Sequence, residues 1–345
     1  MAEFKGYKKG VNLGGWLSQC NHDKQHYDSF INENDIAQIA EWGLDHVRVP
    51  VDFELFYSDE EGWLEEGFLY IDTCIAWCKK YHLNMILDLH KTVGYTFDDS
   101  LYSKDFFHSE ILQQKFLNLW EEMAQRYGKY SSFLAFELLN EVVDIEVSDI
   151  WNGIANQAIL LIRQYAPTTY IIIGGARNNS VSTVKLLDKP YDDRIVYTFH
   201  FYEPLIFTHQ SAYWIPSMST EFSMSYPAKG KEFVMNTKRQ LSEDNCEIYE
   251  EVSLMEEDVI GPAFYEKALS EVILLAKERK VALYCGEYGV IDQADSESTL
   301  NWYKDVQSVF EKYNISRAAW TYKGKDFGII DLHNSDIQKQ VISLL

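Results

Sequence analysis

LAFELLNE, residues 134–141, is an apolar run that ends in an asparagine and a glutamate. Leu134, Phe136, Leu138 and Leu139 suit a buried strand. Glu137 and Glu141 do not, because a buried carboxylate is costly unless it is paired or hydrogen-bonded. An Asn-Glu pair closing such a run makes sense if that end of the strand opens onto a polar site. Working outward, seven further short apolar runs carry strand character: 8–14, 46–51, 84–90, 169–175, 194–202, 282–288 and 317–323. Helical periodicity fills the spaces between them, near 33–42, 66–82, 109–128, 148–165, 179–188, 261–280 and 297–313, with a last helix at 335–344. Eight strands, each followed by a helix, predict an α/β fold of the (β/α)8 TIM barrel class, one catalytic domain over residues 1–345. Such a barrel absorbs 345 residues as a single unit.

One connection breaks the rhythm. From Glu203 to Gly261 the chain runs between strand six and its helix, where ordinary connections take about 2–6 residues. The segment has its own helical pattern near 229–242. It predicts a helical subdomain, 203–261, inserted on the C-terminal side of the sheet, the side on which active sites of this fold lie.

The strand ends share a chemistry. Strand two carries Arg48, strand three ends in His90 and strand four in Asn140 and Glu141. Strand six ends in His200 and Tyr202, strand seven in Glu287 and strand eight in Trp320. A barrel gathers these ends into one ring. Two carboxyl groups there are what hydrolysis of a sugar acetal needs: one protonates the leaving oxygen, the other attacks the anomeric carbon or activates water. The field of an ionised Glu287 is expected to raise Glu141 and keep it protonated until the sugar ester forms. Arg48 and Tyr202 suit holding a nucleophilic carboxylate. Asn140 suits a sugar 2-hydroxyl, His90 and His200 suit support, and Trp320 offers a flat face to a pyranose. Glu137 and Asp88 lie deeper on their strands and read as buried structural partners, Glu137 to Arg48.

The motifs ELLNE (137–141), HFY (200–202), YCGEYG (284–289), HVRVP (46–50) and LDLH (87–90) resemble those of glycoside hydrolase family 5, in the same order and over essentially the whole chain. GVNLGGW (10–16) and the long insertion are similar to the leaderless, intracellular endoglucanases of clostridial type in that family. The resemblance implies Glu141 as acid/base, Glu287 as nucleophile, and Arg48, His90, Asn140, His200, Tyr202 and Trp320 at the supporting positions. The implied reaction is retaining endo-hydrolysis of β-1,4-glucan or cello-oligosaccharides, without cofactor or metal. Lys91 stands where many relatives carry a second histidine, which predicts altered contacts to outer sugars. Within the insertion, Trp214 is expected to form an outer sugar platform.

Other features bound the alternatives. With 31 Lys and Arg against 53 Asp and Glu, a formal charge of −22, the surface repels phosphate backbones and anionic lipid. Neither nucleic acid nor membrane is an expected partner, and no run is long and apolar enough to span a bilayer. The start, MAEFKGYKKG, has no apolar leader region, and the five cysteines form no CxxC, which reads as a cytoplasmic chain with free thiols. The expected assembly is a monomer. His22, Asp23 and His26 read as a solvated loop rather than a metal site. Trp42, Trp77, Trp120, Trp151 and Trp302 fall on helices and read as packing; Trp16, Trp63, Trp214 and Trp320 are the candidates to meet sugar. A metal-dependent hydrolase would need a histidine pair at the end of strand one, where Asn12, Leu13 and Gly14 stand. A non-catalytic sugar-binding barrel would lack one of the two glutamates. The same mechanism on mannan, mixed-linkage glucan, β-1,3-glucan or xyloglucan stays open.

Overall fold

The computed structural model describes residues 1–98, 103, 105–241 and 258–345. Eight strands close into a barrel in chain order: β1 (Lys9–Asn12), β2 (His46–Asp52), β3 (Asn84–Lys91), β4 (Leu134–Glu137), β5 (Ile171–Gly174), β6 (Ile195–Phe201), β7 (Ala282–Tyr288) and β8 (Ser316–Ala319). Every neighbouring pair is parallel, and β8 returns to pair with β1. Helices Glu33–Glu41, Glu65–Tyr81, Glu110–Tyr127, Ser148–Tyr165 and Ser296–Tyr313 lie within a residue of the predicted spans. Three of these starts carry side-chain caps: Asn32 and Asp35 form a capping box, and Ser109 and Asp295 accept from Leu112 and Ser298 backbone N–H groups.

Alternation along each strand sorts the core into two. Val47, Val49 and Val51 of β2, like Met85, Leu87 and Leu89 of β3, pack outward against the helices. Ile86, Ala135, Ile172, Val196, Ala282, Tyr284 and Ala318 point into the barrel and fill its floor, and Phe4 and Tyr7 close it from below. Continuing the inward series upward leads to the polar groups: Ile86 to Asp88 and His90, Ala135 to Glu137, Val196 to Thr198 and His200.

In β7 this series is broken. Leu283 and Cys285 face outward, so strict alternation would send Glu287 outward too. The pairing with β6 shifts there, from Phe199 with Cys285 to His200 with Glu287, leaving Gly286 as an extra residue. The bulge turns Glu287 inward. A Cβ on Gly286 would lie 2.9 Å from Thr198 Oγ1 and 3.2 Å from His200 Nε2, so the bulge is built around a residue with no side chain.

Three predictions are corrected. The expected helix 179–188 is a four-residue turn, Ala176–Asn179, followed by a 3₁₀ segment, Val181–Leu186. Arg177 and Asn178 take left-handed φ values of 49° and 55°, which break the α-helix. The expected helix 261–280 is two, Pro262–Ala268 and Ser270–Arg279, meeting at Leu269. Strand four ends at Glu137, four residues short of Glu141, which stands on the connection above the barrel. The inserted stretch after β6 carries helices Leu205–Thr208 and Gly230–Gln240, the second near the predicted 229–242. Its residues 242–257, including Cys246, lie outside the described residues.

Candidate active site

Arg48 stands at the centre, wholly buried. Its Nε donates to Glu137 Oε2 at 2.8 Å and its Nη2 to Glu137 Oε1 at 3.1 Å, a forked pair. Nη2 also donates to Asn140 Oδ1 at 2.7 Å and lies 3.1 Å from Asp88 Oδ2. Nη1 donates to Asn12 Oδ1 and to Glu287 Oε1, each at 2.9 Å. One guanidinium thus faces three carboxylates. A buried excess of negative charge is costly, and protonation relieves it. Burial pushes Asp88 up to about 7 and pulls His90, whose Nδ1 is 2.6 Å from Asp88 Oδ2, down to about 4. Burial also raises Glu137, although Arg48 opposes it.

Glu287 is held at both oxygens. Arg48 takes Oε1, and the Tyr202 hydroxyl donates to Oε2 at 2.9 Å. Burial and the neighbouring Glu287 hold Tyr202 well above the ordinary phenol range, so it is a fixed donor. Asn12 braces the bulge below by donating from Nδ2 to Gly286 O at 2.9 Å.

Glu141 is held differently. Its Oε1 lies 2.6 Å from His200 Nδ1, and its Oε2 accepts from Asn178 Nδ2 at 2.8 Å. Burial, the largest influence, pushes Glu141 up. The hydrogen bond and charge of His200 and the bond from Asn178 outweigh it, and Glu141 sits below its ordinary value. The expected rise of Glu141 in the field of Glu287 is not what these contacts give: the direction is downward, set by His200 and Asn178. His200, in turn, is pulled down by burial but raised more by Glu287 and Glu141, ending above its ordinary value. Both shifts favour a proton on His200 over one on Glu141. Tyr95 fixes the backbone by donating to Glu141 O at 2.5 Å and accepting from Val143 N.

Arg48, His90, Asn140, Glu141, His200, Tyr202, Glu287 and Trp320 meet in one cluster at the C-terminal end of the barrel. The Trp320 and His90 rings are parallel, with centroids 5.8 Å apart. Lys91 is turned aside: its Nζ lies 3.4 Å from Asp52 and 3.2 Å from Glu54. Trp214 is exposed and reaches the cluster through Phe327. Trp16 leaves the list of sugar-facing residues, for it is buried, stacks on Trp77 and donates to Tyr27 O. Trp63 is at the surface in a two-stranded hairpin, edge-on to Tyr57.

The segment 22–26 is solvated at Asp23, Lys24 and Gln25, as expected, but it is the start of a helix rather than a loop. Asp23 caps a helix, Lys24–Phe30; His22 binds Tyr27 and Asp52; His26 binds Gly15 O. Among the described residues, two groups bring three potential metal donors within 4.8 Å of one another: His22, Asp52 and Glu54, and Glu141, His200 and Glu287. The Lys91 ammonium already sits on the first, and Arg48, Tyr202 and Asn178 occupy the second.

Sequence reasoning missed Asn12, Asn178 and Asn179. Asn179 donates to the Asn140 carbonyl and lies 3.3 Å from His200 Nε2. The signal was the pair of asparagines in GGARNN at the end of strand five, residue types that tolerate left-handed turns.

The protein-family comparison matches the model described as Cellulase (glycosyl hydrolase family 5) to residues 5–326. Over 317 residues the chain is 40% identical to Cellodextrinase A of Ruminococcus flavefaciens, covering 92% of this chain and 86% of that protein. It is 38% identical to Endoglucanase C of Acetivibrio thermocellus over 346 residues, 98% of each. Among solved structures, the clostridial cellulose synthase subunit Z of Clostridioides difficile superposes with a TM-score of 0.76 at 27% identity, covering 98% of this chain and 99% of that one.

Proposed function

The chain belongs to the cellulase family, glycosyl hydrolase family 5, and on that premise we propose that it is a retaining endo-β-1,4-glucanase acting on β-glucan and cello-oligosaccharides. The observation that carries this reading is the unequal holding of two close carboxylates. Glu287 is fixed at both oxygens by Arg48 and Tyr202, while Glu141 is paired with His200 and accepts from Asn178. One oxygen of each glutamate and a nitrogen of His200 lie within 4.8 Å of one another. That closeness favours a nucleophilic partner over the spacing of about 6.5–9.5 Å that would admit a water.

The steps follow from these contacts. A Glu287 oxygen attacks the anomeric carbon, and Arg48 and Tyr202 aim it and spread its charge. The proton of the His200–Glu141 pair passes through the Glu141 carboxyl to the leaving oxygen. When Glu287 has become an ester, that proton has left with the departing oxygen, and Glu141 stands as a carboxylate beside a neutral His200. Glu141 then takes a proton from the incoming water, which opens the ester. Asn140, held by Arg48 and Asn179, faces the sugar 2-hydroxyl; Trp320 supplies the apolar face. A glucan substrate fits the cellodextrinase and endoglucanase relatives. A monomer in a cytoplasmic setting belongs to the same reading; the four described cysteines are unpaired, which suits that setting. The test is reducing-end release from a panel of defined oligosaccharides, with proton NMR of the first-formed anomer. A β anomer from cello-oligosaccharides is the expected result. An α anomer would overturn retention, and release only from mannan or β-1,3-glucan would overturn the substrate.

A further inference from the structure

The first part of the insertion does more than rise above the barrel. Helix Leu205–Thr208 follows directly on Tyr202, and the Thr208 hydroxyl donates to the Tyr202 carbonyl. The same hydroxyl lies 3.0 Å from His209 Nδ1. The His209 ring then meets Tyr202 edge-on, with centroids 4.9 Å apart, and tilts against Phe327 at 5.2 Å. Phe327 lies 5.9 Å from Tyr202 and belongs to an apolar cluster with Ala212, Ile291 and Trp320. Tyr202 is therefore boxed in by rings, and its one polar atom points at Glu287 Oε2.

A phenol is a long lever. Rotation about its side-chain bonds moves the hydroxyl far more than the ring base, and hydrogen bonds weaken steeply as they bend. Something must hold the ring, and the rings that meet it are His209 and Phe327. We propose that His209 is a positioning residue of the reaction: its ring, anchored by Thr208 and backed by Phe327, wedges Tyr202 so that the hydroxyl stays on the attacking carboxylate. The insertion thereby acts on the reacting group itself. This rests on Glu287 being the nucleophile. Burial holds His209 down at about 4, and the charge that reaches it is that of Glu141. The ring is thus neutral at neutral pH and adds no charge to the site; its effect is one of shape.

The test is covalent trapping with 2,4-dinitrophenyl 2-deoxy-2-fluoro-β-cellobioside. The Glu287 carboxylate forms an ester to the anomeric carbon and dinitrophenolate leaves as an anion, so no general acid is required. Peptide mass mapping of the trapped wild-type protein locates the ester, and a label elsewhere than Glu287 overturns the nucleophile and this proposal together. With the label on Glu287, the trapping rate is measured in a cycle of His209→Ala, Tyr202→Phe and the double variant. His209→Ala is expected to slow trapping on the order of tenfold with Tyr202 present, and less than about twofold in the Tyr202→Phe background. Equal slowing in both backgrounds, or none in either, overturns the wedge. Should His209→Ala fail to fold, His209→Leu, which keeps volume but has neither a flat face nor Nδ1, takes its place in the same cycle with the same expectation.

Discussion

At the scale of single residues, the two glutamates differ in what holds them, and that difference separates their variants. On the proposed roles, Glu287→Gln removes the attacking group and should abolish turnover of every substrate. Glu141→Gln removes the proton path and should cost about 10²–10⁴-fold on cello-oligosaccharides. It should leave the first step nearly intact on aryl cellobiosides with acidic phenols, which depart without protonation. Near wild-type β-glucan hydrolysis by either variant would sink the assignment. The His200–Glu141 contact also makes a prediction about stability. Glu141 is lowered from an ordinary 4.5, so its contribution is present above 4.5 and is lost as pH falls through the folded value. His200 is raised from 6.5, so its contribution is present below 6.5 and is lost as pH rises through the folded value. The pair should stabilise the fold most between 4.5 and 6.5. The melting-temperature gap between wild type and Glu141→Gln, followed from acid to alkaline pH, should peak in that window; a flat gap would show the pair adds nothing. Asp88 and His90 should leave no such mark. They hold one proton between about 4 and 7 when folded and between about 4 and 6.5 when unfolded, so their linkage nearly cancels.

At the scale of elements, the strands were legible because each combined a short apolar run with a polar end, and a barrel demands both. The residues that line the site were legible for the same reason: His90, Asn140, Glu141, His200, Tyr202, Glu287 and Trp320 stand at or just past a strand's C-terminal end, and Arg48 is the charged residue inside an apolar strand. What hid was set by contacts distant in sequence. Trp16 follows two glycines and looks like a loop aromatic, yet it folds back onto Tyr27 and Trp77. Lys91 looks free to reach sugar, yet Asp52 and Glu54 claim it. Asn179 looked like the start of a helix and Asn178 like loop, yet left-handed turns bring them to Glu141 and the Asn140 carbonyl. The Gly286 bulge was also invisible, and it carries a prediction. Gly286→Ala drives a methyl against Thr198 and His200, which must shift the strand that carries Glu287. The expected result is a fall in kcat on the order of tenfold or more, because small misplacements at a reacting centre are costly. Full activity in that variant would show that the bulge does not set Glu287's aim. In the insertion, Tyr213 and Trp214 are both exposed and edge-on to each other, the form of a platform for an outer sugar. Trp214→Ala should weaken cellopentaose and cellohexaose and spare a short aryl glycoside, since remote contacts act only on substrates that reach them. Equal loss on all substrates, with a lowered melting temperature, would make Trp214 an anchor of the insertion instead.

At the scale of the whole molecule, function depends on two kinds of charge that must be kept apart. Inside, one arginine organises three carboxylates by direct contact, shielded from water and salt. Outside, an excess of acidic groups gives the formal charge of −22. The inner set decides chemistry and the outer set decides which polymers come near. Exposed charges act through a screening length of about 30 Å at 0.01 M salt and about 8 Å at 0.15 M. A neutral glucan feels neither value. A carboxymethylated glucan is itself a polyanion, and at low salt the protein's field repels it along the whole approach. Raising salt from 0.01 to 0.15 M should therefore increase kcat/KM on carboxymethyl-cellulose by roughly two- to fivefold and leave neutral mixed-linkage β-glucan unchanged. The buried contacts around Arg48 are screened little, so the chemical step should not follow salt, and the rise should lie in the approach of substrate. A parallel rise on both polymers would place the salt effect in the fold or the site and refute the division between inner and outer charge.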